Sequence, residues 1–183
     1  MEGWLQRLAT LPKAPDVLAP EHRAAVLVPL YEDDEELRVV LIKRPVEMPT
    51  HGGQIAFPGG MVGPDDGGPV ATALREAGEE VALSPRDVEV LGVLEAVTTA
   101  SETMVIVPVV GRLSRPPRLV PDPREVERIL QPAVREFFDE SRWWKQRWWG
   151  RDLWFFNLGE EILWGATALI VRDLMGRLRV PGT

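Results

Sequence analysis

Apolar positions along the chain fall into short β-branched runs separated by turn residues, broken by stretches in which they recur every three or four residues. Residues 24–31 and 37–43 are two such runs, and the acidic turn Glu32-Asp33-Asp34-Glu35-Glu36 between them predicts a hairpin with a solvated tip. Residues 55–57 read as a short strand entering the Gly59-Gly60 turn. From Pro69 onward, Val70, Ala73, Leu74, Ala77 and Val81 recur at helical spacing, which predicts a helix opened by proline with one apolar side for a core. Residues 88–97 and 104–110 supply further strands, and 114–123 is a proline-rich connection. Residues 125–138 and 162–174 have helical spacing, with a strand at 153–157 between them, while residues 4–11 predict a short helix before the proline-marked segment 12–20. Strands interleaved with helices predict an α/β fold whose mixed sheet is covered on both faces. No internal repeat is present.

The polar side of the central helix carries the chemistry. Glu76, Glu79 and Glu80 fall within about 100° of arc on a helix of ~3.6 residues per turn, so their carboxylates converge on a side away from the apolar one and would line a cleft. Like charges at this spacing repel, and acids late in a helix oppose its dipole. The only nearby cation is Arg75, four residues before Glu79, where an ion pair fixes one carboxylate's orientation. Convergent carboxylates suit a hard cation such as Mg²⁺ or Mn²⁺, which takes oxygen ligands and keeps waters for use with substrate phosphates. Gly59 and Gly60, without side chains, let the backbone approach an ion or a phosphate closely. Arg44 and Lys43 end a strand near that turn, where a guanidinium grips phosphate oxygens in a fork and an ammonium acts as a point charge.

These residues resemble the Nudix hydrolase signature, G-x5-E-x7-R-E-U-x-E-E-x-G-U. Arg75-Glu76-x-x-Glu79-Glu80 is intact, whereas Asp66 stands where glutamate is expected and eight rather than seven residues precede Arg75. Ala77 replaces a larger aliphatic residue. Ala82 replaces the final glycine, which leaves the helix end less suited to a left-handed cap. Upstream, Leu41-Ile42-Lys43-Arg44 and His51-x-Gly53-Gln54-Ile55-Ala56-Phe57-Pro58-Gly59-Gly60 are similar to the extended motif of the coenzyme A pyrophosphatase branch, where the longer spacing before Arg-Glu is also familiar. Asp122-Pro123-x-Glu125-Val126 and Ile162-Leu163-Trp164-Gly165-Ala166-Thr167-Ala168 resemble late segments of that branch, so the likeness runs from about Ala24 to Leu174. Lys43, Pro45 and Ser101-Glu102-Thr103-Met104 depart from its pattern.

The resemblance implies a Nudix-type α/β/α sandwich with a mixed β-sheet, one domain over residues 1–183 with 1–22 as an N-terminal extension. It implies Mg²⁺ or Mn²⁺ held by Glu76, Glu79, Glu80 and the Gly59 carbonyl, with Arg75 orienting the cluster. It further implies hydrolysis of coenzyme A or its derivatives to 4'-phosphopantetheine and adenosine 3',5'-bisphosphate, with Lys43, Arg44, His51, Gln54, Gly59 and Gly60 binding substrate. The general base comes from the signature helix or a later loop, where Glu102 and Glu125 are candidates. Two alternatives stand beside this: a Nudix pyrophosphatase for another nucleoside diphosphate such as ADP-ribose, and a non-catalytic nucleotide-binding regulatory module, which a broken glutamate set would mark.

Composition narrows the classes. With 183 residues, 45% hydrophobic and 27% charged, the chain can bury a real core. A net charge of −7 and a pI near 5.0 argue against nonspecific binding to nucleic acid or an anionic membrane. The absence of cysteine excludes disulfides, thiolate catalysis and zinc-thiolate sites. Neither a signal peptide nor a membrane span is expected, and the expected location is the cytoplasm. Six of the seven tryptophans lie between Trp143 and Trp164, and Trp143-Trp144-x-x-x-Trp148-Trp149 predicts aromatic pairs on adjacent helical turns, used for core packing or a homodimer interface, with nucleotide stacking or membrane association as weaker options.

Overall fold

The run at 24–31 is apolar at nearly every position, as in a strand buried on both faces, and it becomes the centre of the main sheet. The computed structural model describes residues 3–14, 22–99, 104–148 and 150–179. After a short helix, α1 (Gly3–Leu8), strand β1 (His22–Asp33) pairs antiparallel with β2 (Glu36–Val39) through a two-residue turn in which Asp34 (φ 47°) and Glu35 (φ 65°) are both left-handed. The run predicted as one strand over 37–43 divides at Val40, and its second half leaves this sheet: β3 (Leu41–Lys43) lies between β4 (Ile55–Ala56) and β9 (Arg128–Leu130) in a three-stranded sheet of its own. Strand β5 (Gly59–Met61) returns to pair with β1, and helix α2 (Pro69–Val81) follows with its proline in the first turn. Strands β6 (Val88–Val93), β7 (Val97–Thr98) and β8 (Val105–Leu113) complete a six-stranded sheet in order β2-β1-β8-β6, with β5 on β1 and β7 on β8. The β1–β8 pairing is parallel and the others are antiparallel, so the sheet is mixed, as predicted.

Alternation along β1 divides two cores. Ala25, Leu27 and Tyr31 pack with Ala73, Ala77 and Val81 of α2 and with Val107 and Val109 of β8. Val28 and Leu30 pack on the other side with Ala168, Val171 and Leu174 of α3 (Gly165–Leu178). Each fully buried aliphatic side chain contributes about 1.5–3 kcal/mol, so the position of α2 is set firmly by one face of one strand.

Three predicted elements take another form. Residues 125–138 are not a helix but β9 followed by a 3₁₀ turn at Val134–Phe138. Pro132 lies inside that stretch, where it would cost a helix about 3 kcal/mol, and its carbonyl instead accepts the Val39 N–H at 3.2 Å. The helix predicted from 162 starts only at Gly165 (φ 65°), because residues Glu161–Trp164 form strand β12. The tryptophans at 143–148 form strand β10 (Trp143–Trp148), paired with β11 (Arg151–Leu158), which pairs in turn with β12. Gly150 (φ 78°) supplies the hairpin turn, and Trp149 lies outside the described residues. Neighbouring tryptophans therefore face opposite ways. Trp143 packs against Phe156 and donates to the Phe137 carbonyl, whereas on the other face Trp144 and Trp164 stack on Phe155 and Trp148 meets Phe155 and Trp164 at steeper angles. The Arg172 guanidinium of α3 lies 3.8 Å from the Trp154 ring centroid and 5.1 Å from that of Trp143, which ties this sheet to the helix.

Helix α2 closes as a glycine-ended helix would, although its terminal residue is Ala82. Ala82 is left-handed (φ 56°, ψ 29°), and both its N–H and that of Leu83 bond to the Ala77 carbonyl. Leu83 is buried beneath it, so packing holds alanine in a conformation that costs an L-residue about 1–2 kcal/mol. Ala82→Gly is therefore expected to raise Tm by roughly 1–4 °C, and Ala82→Val to lower it by more, since about 1 kcal/mol moves a domain of this size by 2–4 °C. Thermal melts followed by circular dichroism test this, and equal melting of the three proteins would contradict it.

Candidate active site

Strand β5 runs antiparallel to β1 with Gly59 opposite Val26 and Gly60 opposite Ala25, and it lies between β1 and α2. The neighbouring backbone leaves no room for a side chain at Gly59, and one at Gly60 would displace the Glu76 carboxylate. A Cβ on Gly59 would stand 2.5 Å from the Ala25 carbonyl oxygen, and one on Gly60 would stand 2.5 Å from the carboxyl carbon of Glu76. The close approach lets the Gly59 N–H donate to Glu80 Oε2 at 2.9 Å.

The three signature glutamates do not share one open face. Glu79 points outward with its side chain 56% exposed, Glu76 is mostly covered, and Glu80 is 1% exposed on the buried side of α2 with Ala77 and Val81. A 100° arc is wide enough to straddle the helix's boundary with the core, and β5 covers that boundary.

Arg75 is the hub. Its Nη1 lies 2.9 Å from Glu76 Oε1 and 3.1 Å from Glu79 Oε2, its Nε and Nη2 grip the two oxygens of Asp66 at 3.0 and 2.9 Å, and Nη2 also donates to the Met61 carbonyl. Asp66 accepts further from the Gly63 N–H at 2.7 Å and the Thr72 hydroxyl at 2.9 Å. The Arg75 hydrogen bonds hold the Asp66 carboxyl far below the usual carboxylate range, and Asp66 in return raises the Arg75 guanidinium. From sequence Asp66 was only a departure from the signature. The structure shows it anchoring the arginine, and the signal that points to it is its acidic character at that offset.

Glu80 is compensated far less well. Burial pushes its carboxyl up to about 8, the Gly59 N–H and the Arg44 charge pull it back, and the charges of Glu76 and Glu125 push it up again. Arg44 Nη1 is 3.5 Å from Glu80 Oε1. Burial raises Glu76 also, against Arg75, with Glu79 and Glu125 adding to the rise.

Glu125 reaches this cluster because its segment is tied to the end of α2. The Asp122 N–H donates to the Glu80 carbonyl at 2.9 Å, the Val120 N–H donates to the Val81 carbonyl at 3.0 Å, and the Glu125 N–H closes a turn on the Asp122 carbonyl. Glu125 thus sits on a turn rather than at the start of a helix, while Glu102 lies outside the described residues. Lys43 is drawn away, its Nζ paired with Glu127 at 3.1 Å and Glu161 at 3.0 Å. His51 is exposed and left-handed (φ 58°), with Nδ1 3.1 Å from Gln54 Oε1, and the loop that carries both is pinned to the Arg44 backbone at Gly53 and Gln54.

Charge and donor type fit a hard divalent cation: Glu76, Glu79 and Glu80 are oxygen donors whose mutual repulsion raises the cost of burying them. Among the described residues no three acidic or histidine side chains already form a coordination cage, since Arg75 and Arg44 hold the glutamates by ion pairs. Arg75 meets Glu76 and Glu79 through one oxygen each, whereas both oxygens of Glu80 are engaged, one by the Gly59 N–H and one by Arg44, so an ion held by Glu80 takes an oxygen from one of them.

The Glu80 shift has a definite sign. With the folded carboxyl near 8 and the unfolded one near 4.5, the folded chain keeps a proton that the unfolded chain releases between those values. The stabilisation from Glu80 is full below the unfolded value and is lost as pH rises through the folded one. In EDTA, Glu80→Gln is expected to melt at least ~2–4 °C above wild type near pH 8.5, the shift that about 1 kcal/mol gives, with the gap closing toward pH 5. Parallel Tm profiles for the two proteins would contradict the assignment.

The NUDIX domain family model matches residues 21–143. The chain is 36% identical over 180 residues to "Nudix hydrolase 15, mitochondrial" of Arabidopsis thaliana, covering 92% of this chain and 62% of that protein's length. It is 34% identical over 179 residues to "Uncharacterized Nudix hydrolase NudL" of Photorhabdus laumondii, covering 93% of this chain and 92% of that protein. Among solved structures, a MutT/nudix family protein from Enterococcus faecalis superposes with a TM-score of 0.59 at 17% identity, over 90% of this chain and 64% of that one. The signature helix, its arginine hub and its glycine strand lie within the matched region, and the chain belongs to the Nudix hydrolase family, whose members act on phosphoanhydride bonds.

Proposed function

We propose that the chain hydrolyses the diphosphate of coenzyme A or its derivatives, giving 4'-phosphopantetheine and adenosine 3',5'-bisphosphate, with Mg²⁺ or Mn²⁺ held by Glu76, Glu79 and Glu80. The observation that carries the reading is the buried, under-compensated Glu80 carboxylate on the Gly59 N–H, set beside Glu76 and within the field of Glu125. When bound, the cation neutralises the diphosphate and lowers the pKa of a water it carries. Arg75 fixes the orientation of Glu76 and Glu79 through a fork anchored on Asp66. Arg44 supplies a guanidinium for phosphate oxygens, and His51 and Gln54 stand on the loop pinned to its backbone. Glu125 takes the proton of the attacking water. The choice of coenzyme A rests on the segment from His51 to Gly60 and its likeness to the coenzyme A pyrophosphatase branch.

Another nucleoside diphosphate is the second reading. It is favoured by Lys43, which stands where the coenzyme A branch usually has threonine and which is paired with Glu127 and Glu161. A fold neighbour, the NUDIX domain of Shewanella oneidensis NrtR, was solved in complex with ADP ribose.

Pure protein incubated with a nucleotide panel and Mg²⁺ or Mn²⁺ is expected to cleave coenzyme A with a higher kcat/KM than ADP-ribose. Activity is expected to vanish in EDTA and to fall by at least ~10–100-fold in Glu79→Gln and Glu80→Gln, the scale of a perturbed metal shell. A preference for ADP-ribose would refute the substrate, and turnover undiminished by EDTA would refute the metal. Glu125→Gln is expected to lower kcat by about 10²–10⁴-fold with Mg²⁺ affinity nearly intact, the signature of a lost base rather than a lost ligand. Near-wild-type kcat in that variant would return the base to the signature helix.

A further inference from the structure

Among the described residues, Arg75, Lys43 and Arg44 are the cations that end on or beside the glycine turn and α2, and two of them are fully engaged. Arg75 is spread over Asp66, Glu76, Glu79 and the Met61 carbonyl, and Lys43 over Glu127 and Glu161. Arg44 differs. Its backbone is fixed, the N–H donating to the Gln54 carbonyl and the carbonyl accepting the Gly53 N–H, both at 3.0 Å. Its side chain, 19% exposed, meets Glu80 at 3.5 Å, near the outer limit of a hydrogen bond, and its Nε is buried with no hydrogen-bond partner among the described residues. A guanidinium carries five donors in a rigid fork suited to phosphate, so this one is placed short of its capacity. Its charged partner among the described residues is also a carboxylate that a divalent cation would claim.

We propose that Arg44 is an exchangeable counter-ion: it holds Glu80 until a divalent cation takes that carboxylate, and then turns its fork onto a phosphate of the substrate. The inference rests on the metal-dependent reading above. Both Glu80 oxygens are occupied, Oε2 by the Gly59 N–H at 2.9 Å and Oε1 by Arg44 at 3.5 Å, so the longer contact is the one that yields, and the charge of the cation repels the guanidinium that leaves. The fixed backbone at the end of β3 makes that displacement a swing of the side chain alone. Cation binding thereby prepares the phosphate site, which imposes an order: cation first, nucleotide second. It also gives one arginine opposite effects on two ligands, which a purely structural residue would not have.

The test uses Mn²⁺ alone and ADP, the diphosphate shared by both substrate readings, each titrated calorimetrically into the full chain. Arg44→Gln is expected to bind Mn²⁺ about 5–30-fold more tightly than wild type, the range of a modest coupling between sites. At saturating Mn²⁺ the same variant is expected to bind ADP about 10–100-fold more weakly, the scale of lost charge-assisted hydrogen bonds. Arg44→Lys, which keeps the charge and loses the fork, is expected to hold Mn²⁺ affinity near wild type while still weakening ADP. Without metal, Glu80→Gln releases Arg44 and is expected to bind ADP more tightly than wild type, a gain that disappears in the Glu80→Gln/Arg44→Gln double variant. Mn²⁺ affinity unchanged or weakened in Arg44→Gln, or ADP affinity unchanged in both Arg44 variants, would overturn the exchange while leaving the metal reading in place. A wild-type protein that takes up no Mn²⁺ would overturn both.

Discussion

A carboxylate buried at the edge of a hydrophobic core is the constraint on which the site turns. Glu80 lies on the same side of α2 as Ala77 and Val81, and among the described residues its oxygens meet one backbone N–H and one guanidinium at 3.5 Å. An ionised group so placed costs free energy that well-packed apolar residues would not, and a structural role alone gives no return for it. The surrounding architecture accommodates it. Strand β5 is glycine where it passes Glu80 and Glu76, and the 120–125 segment bonds to the last carbonyls of α2, which brings Glu125 into the same field.

Rigidity comes from elsewhere. The alternation of β1 seats α2 through Ala73, Ala77 and Val81, while the Schellman-type closure at Ala82 fixes the end nearest Glu79 and Glu80. At the other end Asp66 holds Arg75 by both of its oxygens, so a strong bidentate pair with good geometry sits beside the weakly compensated Glu80. Asp66 holds Arg75 by two oxygens whereas Arg44 meets Glu80 at 3.5 Å, and the proposed exchange rests on that asymmetry. The aromatic face of Trp144, Trp148, Phe155 and Trp164 is built on the separate β10-β11-β12 sheet.

Much of this was legible in residue order, and the failures have identifiable causes. The hairpin at 24–39 and the helix from Pro69 followed from periodicity and from a proline at a first turn, because both signals are local. The carboxylate set was legible too, but the depth of Glu80 was not, since its burial depends on where β5 passes, which no helical wheel records. The Trp143–Trp148 stretch was misread because its spacing fits a helix or a strand equally, and pairing with β11 decides between them. Residues 125–138 were misread because apolar spacing was weighed above Pro132. Lys43 next to Arg44 looked like a second phosphate contact, whereas Glu127 and Glu161, distant in sequence, neutralise it.

The central claim is that a divalent cation resolves the charge conflict at Glu80, and proton linkage tests it most directly. Mn²⁺ titrated into metal-free protein near pH 7, in buffers of different ionisation enthalpy, reports the protons released per ion bound. Burial holds the Glu80 carboxyl above the usual carboxylate range, so the fraction that carries a proton must release it on becoming a ligand, and the account predicts measurable proton release in wild type and little or none in Glu80→Gln. Mn²⁺ binding with no proton release in wild type would contradict it.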